Sequence, residues 1–425
     1  MIVIDLAAGD LMPEPEPVAL DDGVVSEVRR IIEAVRTGAD EALIDLTRRH
    51  DGADVSGGLE VPRQRWTEAR TRVPHDLRSA LEGMAERLRE LHARQLPKPW
   101  TARGLGYTYG EVVRPLDSVG CYVPGGRAAY PSTVLMTVVP ARVAGVRRVA
   151  VCTPPAEDGS VSDAVLCAAD IARADALHRV GGAQAVAALA YGTESIRRAD
   201  KIVGPGNVWV TEAKREVAGA VGIDGLYGPS ELVIVADESA EPRWLAADLV
   251  AQAEHDPLAR TTLLALHPDL AHTVEATLAR DVAASPRRDI VERSIAHTRL
   301  VIAPDERVAA QVVDRLAPEH LQVVTGEPEA FLERVRSFGA AFLGPTPVSF
   351  GDYGVGSNHV LPTMGTARFS SGLRASDFVT VSSFVRADRE GLARFGPEVE
   401  TVARAERLAG HARASELRRT EGGTG

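Results

Sequence analysis

Cysteine is scarce in this chain of 425 residues, and the three present, Cys121, Cys152 and Cys167, stand at neither metal-type nor redox-type spacing. An odd number so dispersed excludes a disulfide framework and points to reduced thiols, as in cytosolic proteins. Positive charge is also short: 48 Lys and Arg against 59 Asp and Glu give a formal net charge of −11. No basic cluster stands out, so the electrostatic footprint that holds nucleic acid or an anionic membrane surface is missing. No apolar run reaches the length that spans a bilayer. Residues 1–11 carry acids rather than a basic stretch followed by an apolar one, and a cytoplasmic protein is expected. There is no short-period repeat, no low-complexity linker and no G-x-G-x-x-G fingerprint. What is present is an ordinary globular composition, 45% hydrophobic and 25% charged, long enough for two or three cores. Its expected partners are small molecules.

Periodicity supplies the architecture. Apolar spacings of three and four predict helices over 24–35 and 40–49 and a long exposed helix over 75–95, so the first 110 residues read as helical scaffold. From Arg147 short apolar runs alternate with helices: strands at 149–152, 177–180, 201–203 and 232–236, and helices at 162–173, 183–191 and 208–220. A second series follows, with helices at 242–255, 270–282, 306–316 and 327–337 and strands at 262–266, 299–302, 321–324 and 341–343. Such alternation calls for parallel sheets. The expected fold class is α/β, with two tandem Rossmann-like domains built on incomplete, mostly parallel sheets and with helical N-terminal and C-terminal extensions. Residues 377–419 read as helical and 420–425 as a disordered tail.

The chemistry-bearing residues fall at element ends. Gln252 and His255 lie three apart at the end of a predicted helix, on one face, with about 5–6 Å between Cβ atoms. An amide oxygen and an imidazole can therefore converge on one ion, with Asp352 and His411 available to complete a set of four. Oxygen and imidazole donors without cysteine suit Zn²⁺ or a similar ion engaged in chemistry. The plainer reading makes His255 a helix cap and Asp352 a turn residue. Three glycine loops, Tyr122-Val123-Pro124-Gly125-Gly126, Gly181-Gly182-Ala183-Gln184 and Gly204-Pro205-Gly206-Asn207, lie on one predicted sheet edge. Singly each is a turn; together they favour a dinucleotide. Glu319-His320, after Pro318 and before a strand, offers an acid/base pair or a helix C-cap. The glycine-rich stretch Gly351 to His359 reads as a shaped loop. Glu406 and His411 lie in a terminal helical segment where solvent-exposed charge is the ordinary interpretation.

Taken in order, Tyr122 to Gly126, Val180 to Gln184, Gly204 to Asn207, Gly228-Pro229-Ser230-Glu231, Gln252 to His255, Pro318-Glu319-His320, Gly351-Asp352 through His359-Val360-Leu361-Pro362-Thr363, and Ala405-Glu406-Arg407-Leu408 with His411 resemble the histidinol dehydrogenase family over residues 24–412. The resemblance implies a zinc-dependent enzyme of histidine biosynthesis that oxidises L-histidinol to L-histidine through L-histidinaldehyde. It would use two NAD⁺ and one water, in an intertwined homodimer with shared active sites. By position it implies Gln252, His255, Asp352 and His411 as zinc ligands, His411 coming from the other subunit. Tyr122, Gln184 and Asn207 match NAD contacts. Ser230 and Glu406 match residues that hold substrate, beside His320 and the zinc ligands, and Glu319 and His320 match the acid/base pair. The division expected with it is an arm (1–23), a first α/β domain (24–120 and 231–365) with the metal and acid/base residues, a second (121–230) that binds NAD, and a helical dimerisation segment (366–425). Competing readings are a related zinc- and NAD-dependent dehydrogenase of another amino alcohol or diol, a zinc hydrolase, and a non-catalytic nucleotide-binding protein.

Overall fold

The structure, a computed structural model, describes residues 2–6, 22–125 and 129–421. Gly126 of the first glycine loop, most of the expected arm and residues 422–425 of the expected tail lie outside them. Strand β1 (Ile2–Asp5) is followed by α1 (Asp22–Asp51), α2 (Arg63–Arg72) and α3 (His75–Ala93). Within α1 the backbone leaves helical geometry at Ala39 (φ 46°, ψ −128°), the boundary expected between helices 24–35 and 40–49.

Strands β2 (Trp100–Gly104) and β3 (Tyr107–Pro115) precede the first doubly wound unit: β4 (Ser118–Tyr122), α4 (Pro131–Val143), β5 (Arg148–Thr153), α5 (Asp163–Ala172), β6 (Ala176–Arg179), α6 (Gly182–Tyr191), β7 (Lys201–Val203), α7 (Val208–Val217) and β8 (Gly222–Ile223). Its sheet is parallel throughout, in the order β6-β5-β4-β7-β8. The second unit runs β9 (Glu231–Ala236), α8 (Pro242–Ala253), β10 (Arg260–Ala265), α9 (Pro268–Ala284), α10 (Arg288–Ile295), β11 (Arg299–Ile302), α11 (Glu306–Leu316), β12 (His320–Val324), α12 (Pro328–Leu332), β13 (Ala340–Leu343) and α13 (Ser349–Asp352). Its parallel sheet has the order β1-β11-β10-β9-β12-β13, with β1 recruited from the amino-terminal residues. Both sheets are covered on their two faces by helices, which is why β9 and β12 are continuous buried runs instead of alternating ones.

The helices of residues 22–93 pack chiefly on the first sheet's helices, α1 on α6 and α7, α2 on α5, and α3 on α4 and α5. Helix α1 places Val28, Ile31, Val35 and Leu43 in one core with Ala187, Leu189 and Val210.

The chain divides into two compact units, Met1–Gln95 with Leu116–Phe378, and Leu96–Pro115 with Val379–Gly425. The second holds an antiparallel sheet in which β3 pairs with β2 on one side and with β14 (Val379–Ala387) on the other, followed by α14 (Arg389–Ala405) and α15 (Ala409–Glu421). Its strand β14 corrects the expectation of helix from residue 377, just as β2 and β3 correct that of an all-helical start. The β-branched and aromatic sequence Val379 to Val385 suits a pleated strand, and its partner β3 lies far away along the chain, beyond the reach of local periodicity. Thr420 and Glu421 close α15 and do not belong to a tail.

One buried group makes a stability prediction. His178 in β6 is fully buried, and neither ring nitrogen has a hydrogen-bond partner among the described residues. Burial, aided by the charge of Arg148, lowers its pKa from 6.5 to about 4. The unfolded chain thus binds the proton more readily, so stability is full above pH 6.5 and falls, by up to about 3 kcal/mol, as pH drops towards 4. In His178→Leu, urea unfolding followed across that window should lose this part of its slope; an unchanged slope would show that the acid sensitivity arises elsewhere.

Candidate active site

Helix α11 stops at Ala317, which takes the left-handed C-cap conformation (φ 44°), and Pro318 bars its continuation. The chain then enters β12, so Glu319 and His320 arrive at the amino-terminal edge of the second sheet, and Ala317 rather than either of them caps the helix. His320 pairs between Leu232 of β9 and Ala340 of β13 and is 4% exposed; Glu319 is 7% exposed. The His320 Nδ1–H donates to the Glu231 carbonyl at 3.1 Å, and Nε2 lies 3.7 Å from Asp352 Oδ1. Glu319 Oε2 accepts the Glu231 backbone N–H at 2.9 Å and lies 3.5 Å from His320 Nδ1. Asp352 ends α13, which approaches β13 because residue 351 is glycine: a Cβ there would sit 2.5 Å from the Phe342 ring.

The electrostatics follow from this geometry. Burial opposes charge on His320, but the carboxylates of Glu319 and Asp352 outweigh it and raise the imidazole to about 10. Burial likewise works to raise Asp352, yet the hydrogen bond and charge of His320, with His359 and His255 behind them, hold it below the usual carboxylate range. Glu231 is pushed up to about 7 by burial and the charge of Glu319. Glu231 and His359 were not singled out individually from the sequence. His359 donates from Nδ1 to the Asp352 carbonyl at 3.0 Å and accepts at Nε2 from the Thr133 hydroxyl at 3.1 Å, linking α13 to the first turn of α4.

Of the residues expected to hold metal, Gln252 is buried in the last turn of α8, which ends at Ala253, two residues earlier than expected. His255 lies beyond the C-cap Glu254 and is exposed; its N–H bonds the Gln252 carbonyl at 3.3 Å, and its charge acts on Asp352. His411 and Glu406 belong to the second compact unit, where both are exposed. Among the described residues, no group of three or more His, Cys, Asp or Glu side chains is placed to hold a metal. The donor chemistry nevertheless fits a divalent cation: the first unit brings an imidazole and a carboxylate under mutual electrostatic influence, with a neutral amide on the preceding helical turn, and leaves a further donor to be supplied.

The glycine loops gather at the carboxyl-terminal edge of the first sheet. Tyr122, buried at the end of β4, accepts the Gly182 N–H on its hydroxyl at 3.2 Å, and Gln184 stands in the same first turn of α6. A Cβ on Gly181 or Gly125 would meet the Pro154 ring at 2.5 or 2.6 Å, and one on Gly204 would lie 2.1 Å from the Tyr122 carbonyl oxygen. At these positions glycine lets the turns pack directly on Pro154 and on the Tyr122 backbone. Asn207 caps α7, its side-chain oxygen accepting from the Trp209 and Val210 N–H groups at 3.1 and 3.2 Å, so its amide NH₂ remains for other partners. Ser230 leads into β9 beside Glu231 and is half-buried. Cys121 is fully buried in β4 and burial pushes its thiol up to about 12, which suits a packing residue and not a nucleophile.

The first wound unit, edged by glycine turns, is thus linked through Thr133 and His359 to a buried imidazole–carboxylate set. The family model for histidinol dehydrogenase matches residues 16–419. The chain is 47% identical over 401 residues to histidinol dehydrogenase of Methanothermobacter thermautotrophicus, covering 94% of this chain and 93% of that one. It is 46% identical over 405 residues to the Synechococcus sp. enzyme of that name, with 94% and 93% covered. The crystal structure of histidinol dehydrogenase from Elizabethkingia anophelis matches with a TM-score of 0.95 at 32% identity, covering 100% of this chain and 99% of that one. The chain belongs to the histidinol dehydrogenase family, a family of oxidoreductases of histidine biosynthesis.

Proposed function

We propose that this protein oxidises L-histidinol to L-histidine by way of the aldehyde, with two NAD⁺ and one water, at a site shared between two copies of the chain. The observation that carries the proposal is the His320 imidazole, whose Nδ1–H is committed to the Glu231 carbonyl and whose Nε2 faces the buried Asp352 carboxylate. That arrangement holds the ring by Nδ1, so that in its neutral form Nε2 is the one basic nitrogen, placed where a substrate hydroxyl can meet it.

Gln252, His255, Asp352 and the His411 of a second copy would hold Zn²⁺. The ion, when bound, supplies a Lewis-acidic anchor for the imidazole and amine of histidinol and takes up the Asp352 charge. His320 takes the hydroxyl proton as hydride leaves the carbinol carbon for the dinucleotide. Glu319 then draws a proton from the water that adds to the aldehyde carbon, and the hydrate loses its second hydride to a fresh NAD⁺. Ser230 and Glu406 hold the rest of the substrate, while Tyr122, Gln184 and Asn207 hold the dinucleotide. Exposed apolar side chains on the second unit, among them Leu105, Val381, Val385, Val399, Val402 and Leu408, support a partner copy there. Net acidity supports a small-molecule enzyme without nucleic-acid partners, and three buried free thiols support a reducing compartment, the cytoplasm. No helix among the described residues is long and apolar enough to cross a membrane.

Sharing of the site has a direct test. His411→Ala and His255→Ala chains, each inactive alone, should recover part of the activity on histidinol when unfolded together and refolded as mixed dimers, because one of the two sites is then intact. No recovery in confirmed heterodimers would place all ligands in one chain.

A further inference from the structure

A buried ion pair stands behind the dinucleotide edge and takes no part in the chemistry above. Lys214, on α7, and Asp224, after β8, are each 1% exposed at the side chain and bonded to one another. Both also grip Gly204: the Lys214 ammonium donates to its carbonyl at 2.9 Å, and Asp224 Oδ2 accepts its N–H at 2.6 Å. The remaining needs are met nearby. Asp224 Oδ1 accepts the Gly225 N–H at 2.9 Å, and the ammonium lies 4.7 Å from the centre of the Tyr227 ring. With no surface left to it, Lys214 cannot reach a phosphate itself.

Burying two charges is expensive, and well-packed apolar residues stabilise a core as well or better. What this pair does that apolar residues cannot is hold both backbone groups of one residue in a conformation that L side chains rarely adopt: Gly204 has φ +115° and presses on the backbone of Tyr122. Three residues further on, Asn207 begins α7. We infer that Lys214 and Asp224 are positioning residues for the dinucleotide, fixing the Gly204 turn so that Tyr122 and Asn207 present one preformed surface. The inference rests on the dinucleotide reading of that edge.

The test compares the holoenzyme with Lys214→Met/Asp224→Asn, which removes both charges and keeps an acceptor for the Gly204 N–H, and with Asp224→Asn alone. NADH binding is read by fluorescence titration, and KM is measured for each substrate. The double variant should fold, bind NADH about tenfold or more weakly and raise KM for NAD⁺ to match, since small misplacement of a binding group is costly. Its KM for histidinol should stay within about twofold, a split that general loss of structure would not produce. NADH affinity equal to wild type in the folded variant, or equal losses for both substrates, overturns the inference. Should the double variant fail to fold, Asp224→Asn is judged by the same two criteria. A wild-type enzyme that binds no NADH would instead sink the dinucleotide reading itself.

Discussion

His320→Asn should lower kcat for histidinol oxidation by about 10²–10⁴-fold, the usual worth of a positioned general base. Asparagine can still donate to the Glu231 carbonyl, so the local hydrogen bond survives while the titrating nitrogen opposite Asp352 is lost. The pH profile should change as well. Burial disfavours charge on His320, but Glu319 and Asp352 override it and raise the imidazole to about 10. Turnover needs the neutral ring, so the wild-type rate should climb with pH, and it should climb at lower pH once a cation has taken up the Asp352 charge. The same shift has a consequence for stability. A pKa above that of the unfolded chain adds stability that is full below pH 6.5 and lost as pH rises through about 10, so the variant should lack this alkaline decline. Stopped-flow measurement of NADH formation from pH 6 to 10 checks the first claim; a variant within tenfold of wild type would remove His320 from the proton transfer.

Removing the metal should have an effect at least as large. On the proposed reading, chelation of the purified enzyme should bring histidinol oxidation to background and Zn²⁺ should restore it, because Gln252, His255, Asp352 and a second copy's His411 would provide the anchor that orients the substrate. Asp352→Asn should imitate chelation and resist rescue. The Asp352 carboxylate is the one charged oxygen donor in the set, and it lies 3.7 Å from His320, so its loss removes a ligand and the orienting charge on the base together. Full activity in metal-free enzyme, verified by elemental analysis, would leave these residues with an electrostatic role only.

The two wound sheets were legible because each strand is a short apolar run followed by an amphipathic helix, and strands such as Lys201–Val203 and Arg299–Ile302 fall where periodicity puts them. Strand β14 was not, since Val379 to Ala387 is paired by β3, more than 260 residues away, and is exposed along most of its length. At the site, Glu319 and His320 were visible as a dipeptide between a helix stop and a strand. Glu231 was hidden by its place in a strand, where a carboxyl beside Ser230 gives no sign that its backbone holds both Glu319 and His320. Lys214 and Asp224 could not be paired from sequence: they sit ten residues apart, one on a helix and one after a strand, and only the fold of the Gly204 turn brings them together. His411 and Glu406 show the converse. Their positions match a family pattern, yet within one chain they are exposed side chains of a terminal helical pair, and their proposed role depends on a second copy.

The most direct test of a four-electron oxidation at one site is the quantity of NADH formed per histidinol consumed, measured at completion with zinc-loaded enzyme and excess NAD⁺. Two equivalents, with histidine as the product, are predicted. One equivalent with free aldehyde accumulating, or consumption of histidinol without any NADH, would contradict the account.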